Sequence, residues 1–209
     1  MTDDILICLP GDSVAMLRAM MKKPFNSEEA AQERAAAMEM WRARLRDLDI
    51  PRPEEYVTEG LEPGRLAMHE AAQAFTNAAL GRATPYWLTL AGRCGCGKTL
   101  LARWVRYNLL RARRPCTWVH CGEMVARARE EGQRCIQALA GDAVLVLDDF
   151  GAWHDSTGWA GNAFSTMLNA RLGKWTLITT NARGRDIKAI DERLLWRLRD
   201  RGNTLVDFF

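Results

Sequence analysis

One stretch narrows the possible folds more than any other. Residues 85–99 read PYWLTLAGRCGCGKT. The aromatic and apolar run at 86–92 predicts a buried strand. The segment from Thr99 to Arg111, TLLARWVRYNLLR, predicts a helix. Between them GRCGCGKT, from Gly92 to Thr99, fits the pattern G-x-x-x-x-G-K-[ST]. Glycines at that spacing let the backbone curl until successive N–H groups face one anion, and the helix that opens there adds the positive end of its dipole. A strand delivering such a loop into a helix belongs to a parallel sheet covered by helices.

The rest of the chain repeats that alternation. CTWVHC (116–121), AVLVLDDFG (143–151), WTLITTN (175–181) and NTLVDFF (203–209) predict further strands. Helical patterns separate them at about 122–140, at 161–173 and at 186–202, the last as one continuous helix. Leu66–Leu80 predicts a helix closed by Gly81. Ahead of it, residues 1–60 are rich in Ala, Met, Glu and Arg and contain no strand-like run. The expected division is a helical N-terminal region over 1–60 and one α/β domain over 61–209. Within the first, Asn26 caps a long helix with Glu29 three residues on, and Pro51 stops it. Ala31, Ala35, Met38, Trp41, Leu45 and Leu48 form its apolar stripe. That stripe either packs on the protein's own core or docks a partner.

Composition excludes some classes. The 209 residues are 48% apolar and 26% charged, with net charge +3, which suits a soluble globular chain and permits a nucleic-acid partner without requiring one. No run approaches the roughly 18 apolar residues of a membrane span. The N-terminus carries acids where a secretion signal carries bases. A cytoplasmic protein with six reduced cysteines is expected, and with no C-x-x-C pair no structural zinc site is expected.

The chemistry follows from the strand ends. Lys98 is positioned to reach the β- and γ-phosphates of ATP, and the Thr99 hydroxyl to help hold Mg2+. Gly92, Arg93, Cys94, Gly95, Cys96, Gly97, Lys98, Thr99 and Leu100 are the predicted nucleotide-binding positions. VLVLDDFG lies about 50 residues downstream and ends an apolar strand with two carboxylates. Asp148 is read as the Mg2+ carboxylate, and Asp149 as the group that orients or deprotonates the attacking water. Asn181, at the end of LITTN, is read as a second holder of that water. Arg193 and Arg197 are four apart and share one helix face. They form either a solvated basic face or an arginine finger, a group worth about 10³–10⁵ in rate. Cys94 and Cys96 occupy variable loop positions, so phosphate binding does not need either thiol.

Together, PYWLTLAGRCGCGKT, VLVLDDFGA, LNARLGKWTLITTN and DERLLWRLRDRGNTLVDF resemble, in the same order, the AAA+ ATPases of the helicase-loader and transposition group (DnaC/IstB type). The resemblance implies a P-loop NTPase fold with Lys98 and Thr99 as the Walker A pair and Asp148 and Asp149 as the Walker B pair. It implies Asn181 as sensor 1 and Arg197 as a finger reaching a neighbouring subunit's ATP, with Arg193 a second candidate. Two features depart from the usual pattern: the second Walker B acid is Asp where Glu is common, and Trp196 precedes the finger where a small or polar residue is usual. The last predicted strand ends at Phe209, so a C-terminal lid is expected to be missing, as in the helicase-loader group.

The same resemblance implies ATP-dependent homo-oligomers, single-stranded DNA and a replicative helicase contacted through the N-terminal helices. Arg127, Arg129 and Arg134 are candidate phosphate contacts, against a reading as charged solvent face that Glu130 and Glu131 favour. Trp153 and Trp159 are expected to anchor their own loop rather than stack on bases. Competing functions are a transposition regulator assembling on duplex DNA and a switch that holds nucleotide without turnover. A nucleotide kinase would need an arginine-rich lid, for which no segment is suited.

Overall fold

The computed structural model describes residues 63–155, 157–190, 192–200 and 202–208, with Gln32 and Ala36 as isolated helical positions. Apart from those two positions, the expected helix over 26–50 lies outside the described residues, as does its apolar stripe.

Five parallel strands form the sheet: β1 (Trp87–Gly92), β2 (Thr117–His120), β3 (Val144–Asp148), β4 (Trp175–Thr180) and β5 (Asn203–Phe208). Their order is β2-β3-β4-β1-β5. The helices are α1 (Pro63–Gly81), α2 (Lys98–Arg111), α3 (Cys121–Glu131), α4 (Arg134–Ala138), α5 (Trp159–Asn169), α6 (Gly184–Ile190) and α7 (Glu192–Leu198). None among the described residues is long and apolar enough to cross a membrane.

A strand's side chains alternate between faces, so a central parallel strand must be apolar on both. Leu88 and Leu90 of β1, Val144 and Val146 of β3 and Leu177 of β4 face α1 and α2, against Phe75, Leu101, Val105 and Leu109. Trp87, Leu145, Leu147 and Ile178 face the other way, against Val125, Ile136, Phe164, Leu194 and Leu198. All five residues of β3 are buried, the last being Asp148. Each apolar member contributes about 1.5–3 kcal/mol, enough to carry one hydrogen-bonded carboxylate into the interior.

The segment 186–202, expected as one helix, is two. Gly184 at the start of α6 lies against Leu195 and Arg199 on the α7 side, which a continuous helix would hold far apart. The apolar spacing continues from Ile187 to Leu194 and Leu198, and all three are buried. Folding back brings both short faces onto the same core. The helix expected over 161–173 runs instead from Trp159 to Asn169, because Arg171 turns inward.

Arg171 is fully buried. Its Nε donates to Thr176 Oγ1 (3.0 Å), Nη1 to the carbonyls of Leu139 (2.9 Å) and Asp142 (2.8 Å), and Nη2 to the carbonyl of Trp175 (2.7 Å). Its own carbonyl accepts from Trp87 Nε1 at 3.3 Å. One side chain thus ties the end of α5 to the approaches of β3 and β4. Burial pulls its pKa down to about 10, with the Asp142 charge acting in the opposite direction, so it stays charged at neutral pH.

Candidate nucleotide site

The polar groups gather at the carboxyl ends of the strands, where an open parallel sheet places its ligands. β1 ends at Gly92, and the loop turns through Gly95 (φ 79°) and Gly97 (φ 97°), backbone conformations that a side chain would strain. Gly92 is packed tightly, since a Cβ there would stand 2.7 Å from the Phe208 carbonyl and 3.1 Å from Cys96 Sγ. α2 begins at Lys98, and the first-turn N–H groups of a helix have no partner within it. The loop thus leads into a helix start whose first amides are open to an anion, with Lys98 beside them.

Lys98 is buried, and its Nζ donates to the carbonyls of Gly92 (2.9 Å) and Arg93 (2.9 Å) and to Asn181 Oδ1 (2.8 Å). Cys96 Sγ lies 3.7 Å from the same nitrogen, and Cys96 is buried while Cys94 is exposed. Arg93 and Leu100 are also exposed. Thr99 Oγ1 donates to Asp148 Oδ1 at 3.0 Å. The structure thus forms two hydrogen-bonded pairs, Lys98 with Asn181 and Thr99 with Asp148, between the start of α2 and the ends of β4 and β3. A hydroxyl beside a carboxylate is an all-oxygen donor pair, which fits Mg2+.

Two threonines that the sequence reading passed over hold this arrangement. Thr179 Oγ1 donates to Asp148 Oδ1 (2.6 Å) and accepts from the Asp149 N–H (3.0 Å). Thr180 Oγ1 donates to the Phe150 carbonyl (2.6 Å) and accepts from the Ala182 N–H (3.0 Å). Both are buried. Their signal was a polar pair ending an apolar strand. Asp149 has φ 53°, which only a few non-glycine residues adopt, and its amide bond to Thr179 helps hold that conformation.

His120 was also missed. It ends β2 in register with Asp148. Its Nε2 stands 3.6 Å from Asp149 Oδ2. The available signal was its place at the end of the second strand, but only the strand order makes that strand a neighbour of β3.

The remaining candidates sit elsewhere. Arg193 and Arg197 lie one turn apart on α7. Arg197 is half-buried, its Nη1 has no hydrogen-bond partner among the described residues, and its carbonyl accepts from Asn203 Nδ2 at 2.7 Å. Trp196 between them is 71% exposed. Arg127 pairs with Glu131 at 2.8 Å, and Arg129 donates to the His154 carbonyl at 2.6 Å, so both have local partners. Trp153 stacks on Phe164 (centroids 5.0 Å apart) and meets Phe150 edge-on (5.1 Å), so it anchors its own loop as expected.

No family model matches the sequence. No curated protein matches it either. Solved structures do match the fold. The crystal structure of the DnaC helicase loader superposes with a TM-score of 0.54 at 22% identity, covering 67% of this chain and 89% of that one. DnaI gives 0.56 at 22% identity, covering 72% and 84%. The replication initiator DnaA bound to AMPPCP and single-stranded DNA gives 0.60 at 15% identity, covering 70% of this chain. This chain spans 47% of that initiator's length. These likenesses show the fold, a five-stranded parallel sheet flanked by helices and shared with these structures, as the sequence motifs implied.

Proposed function

We propose that this chain is an AAA+ ATPase of DNA replication that binds ATP with Mg2+ and single-stranded DNA and loads a hexameric helicase. The observation that carries the nucleotide reading is the Lys98–Asn181 and Thr99–Asp148 pair of contacts. They tie the ends of β3 and β4 to the helix that opens at the glycine loop. Likeness in fold to a helicase loader and to an initiator bound to AMPPCP and single-stranded DNA supports the rest.

In this reading the loop amides and Lys98 bind the phosphates. Lys98 gives up its carbonyl partners to do so, exchanging neutral acceptors for charged ones. Thr99 and Asp148 hold Mg2+, which when bound neutralises phosphate charge. Asp149 accepts the proton of the attacking water, and Asn181 fixes that water's position. Arg197, or Arg193 one turn away, reaches a neighbouring protomer's nucleotide, so an isolated chain hydrolyses slowly and assembly raises the rate. Residues 61–209 are the ATPase unit in this scheme, and residues 1–60 contact the helicase.

Fluorescence anisotropy of labelled single-stranded and duplex DNA of equal length tests the proposal, with ATP, ADP or no nucleotide at two salt concentrations. ATP-dependent preference for the single strand supports loading. ATP-dependent preference for duplex favours a transposition regulator. Binding to neither leaves a protein-only switch.

A further inference from the structure

His120 has no role in that scheme, yet it stands at the acidic pair. Adjacent strands in a sheet run about 4.8 Å apart, so in-register end residues project side by side. One ligand-capable atom from each of His120, Asp148 and Asp149 lies within 4.8 Å of the other two. The His120 Nε2 to Asp149 Oδ2 distance of 3.6 Å is too long for a hydrogen bond. His120 Nδ1 has no hydrogen-bond partner among the described residues. The imidazole therefore has no hydrogen bond to break before it binds something else.

We infer that His120, Asp148 and Asp149 form a site for a borderline divalent transition ion of the zinc and cobalt kind. It fills without nucleotide and excludes Mg-nucleotide from Asp148. Mg2+ takes oxygen ligands and gains little from an imidazole, whereas zinc and its neighbours take nitrogen readily. Bonds of about 2.0–2.1 Å in a tetrahedron put ligands about 3.4 Å apart. The His120–Asp149 pair is already near that value. The Asp148 oxygen is at most about 1.4 Å too far, a gap that the side chains of His120 (41% exposed) and Asp149 (32%) can close by rotation. A thiol is the obvious rival ligand, since Cys121 follows His120. Cys121 is fully buried, and it is not among the ligand atoms that lie within 4.8 Å of one another. The metal site needs no nucleotide to exist; only its exclusion of Mg-nucleotide rests on the function proposed above.

The test is a Co2+ titration of the nucleotide-free full chain, followed by visible absorption, with His120→Ala and His120→Gln beside the wild type. One equivalent should bind with weak visible bands and no intense near-ultraviolet thiolate band. Both variants should bind at least tenfold more weakly while keeping the wild-type circular dichroism spectrum. If His120→Ala does not fold, the isosteric Gln variant decides. Equal affinity in a folded variant overturns the site, as does a strong thiolate band, which would place the metal on cysteines. Adding Mg2+ with a non-hydrolysable ATP analogue should then bleach the cobalt bands. Bands that persist while a fluorescent analogue binds overturn the exclusion. Cobalt binding that depends on His120, with no nucleotide binding at all, supports the metal site and overturns the ATPase reading instead.

Discussion

The two ends of the central sheet handle buried charge in opposite ways. At the amino ends, Arg171 is sealed in and reaches three carbonyls and a hydroxyl with three different nitrogens. At the carboxyl ends, Lys98 is also buried, but its partners are loop carbonyls and one amide, on segments that open toward solvent. A guanidinium's rigid fork suits permanent acceptors, and an ammonium on a flexible stem suits exchange. One end holds the frame, and the other holds groups that a ligand can claim.

Removing each cation should break this contrast in opposite directions. Arg171→Met should cost about 3–5 kcal/mol in chemical denaturation, because it orphans buried carbonyls. Arg171→Lys should recover little, since one ammonium cannot reach acceptors spread around a fork. Lys98→Ala should change stability by no more than about 1 kcal/mol, because lost hydrogen bonds offset the charge no longer buried. Yet it should weaken fluorescent-nucleotide binding at least a hundredfold.

These two cations also divide what was legible in the sequence from what was not. Lys98 was read from one contiguous stretch whose spacing implies its chemistry. Arg171 was read only as part of LNAR, a piece of a resemblance, because its acceptors at Leu139 and Asp142 lie about 30 residues away. His120 was missed for the same reason: its relation to Asp148 depends on β2 lying beside β3. Asp148, Asn181 and the five strands were legible because burial writes them as apolar runs with polar ends. The break between α6 and α7 was not, because the apolar spacing of a bent pair matches that of a straight helix.

Between the two ends, Thr179 belongs to frame and site at once. Thr179→Val leaves the Asp148 carboxylate and the Asp149 N–H short of a partner. It should cost about 1–3 kcal/mol and reduce hydrolysis more than nucleotide binding. Asn181→Ala should sharpen the contrast further, with nucleotide affinity kept within a few-fold and steady-state hydrolysis at least tenfold lower. The smallest effect is expected at the loop before α5. Asp155 accepts from the Thr157 hydroxyl (2.8 Å) and the Ala160 N–H (2.6 Å). The Thr157 hydrogen bond leads in holding its carboxyl below the ordinary range. With a depressed folded-state pKa, its contribution is complete above the ordinary value near 3.9 and is lost as pH falls through the folded value. The Ala160 amide resonance should therefore hold its position through mild acidification, move only once pH falls below the ordinary carboxyl range, and show no such step in Asp155→Asn.

The meeting of α1 with β5 has a mechanical consequence. A Cβ on Gly64 would run into the Phe208 ring, so helix and ring are in close contact. The Phe208 carbonyl in turn accepts the Arg93 N–H at 3.2 Å. The first turn of α1 is thus two contacts from the glycine loop, with Phe208 between them. A shift of α1 at Gly64 would press on Phe208, whose carbonyl holds the Arg93 amide, without passing through the body of the sheet.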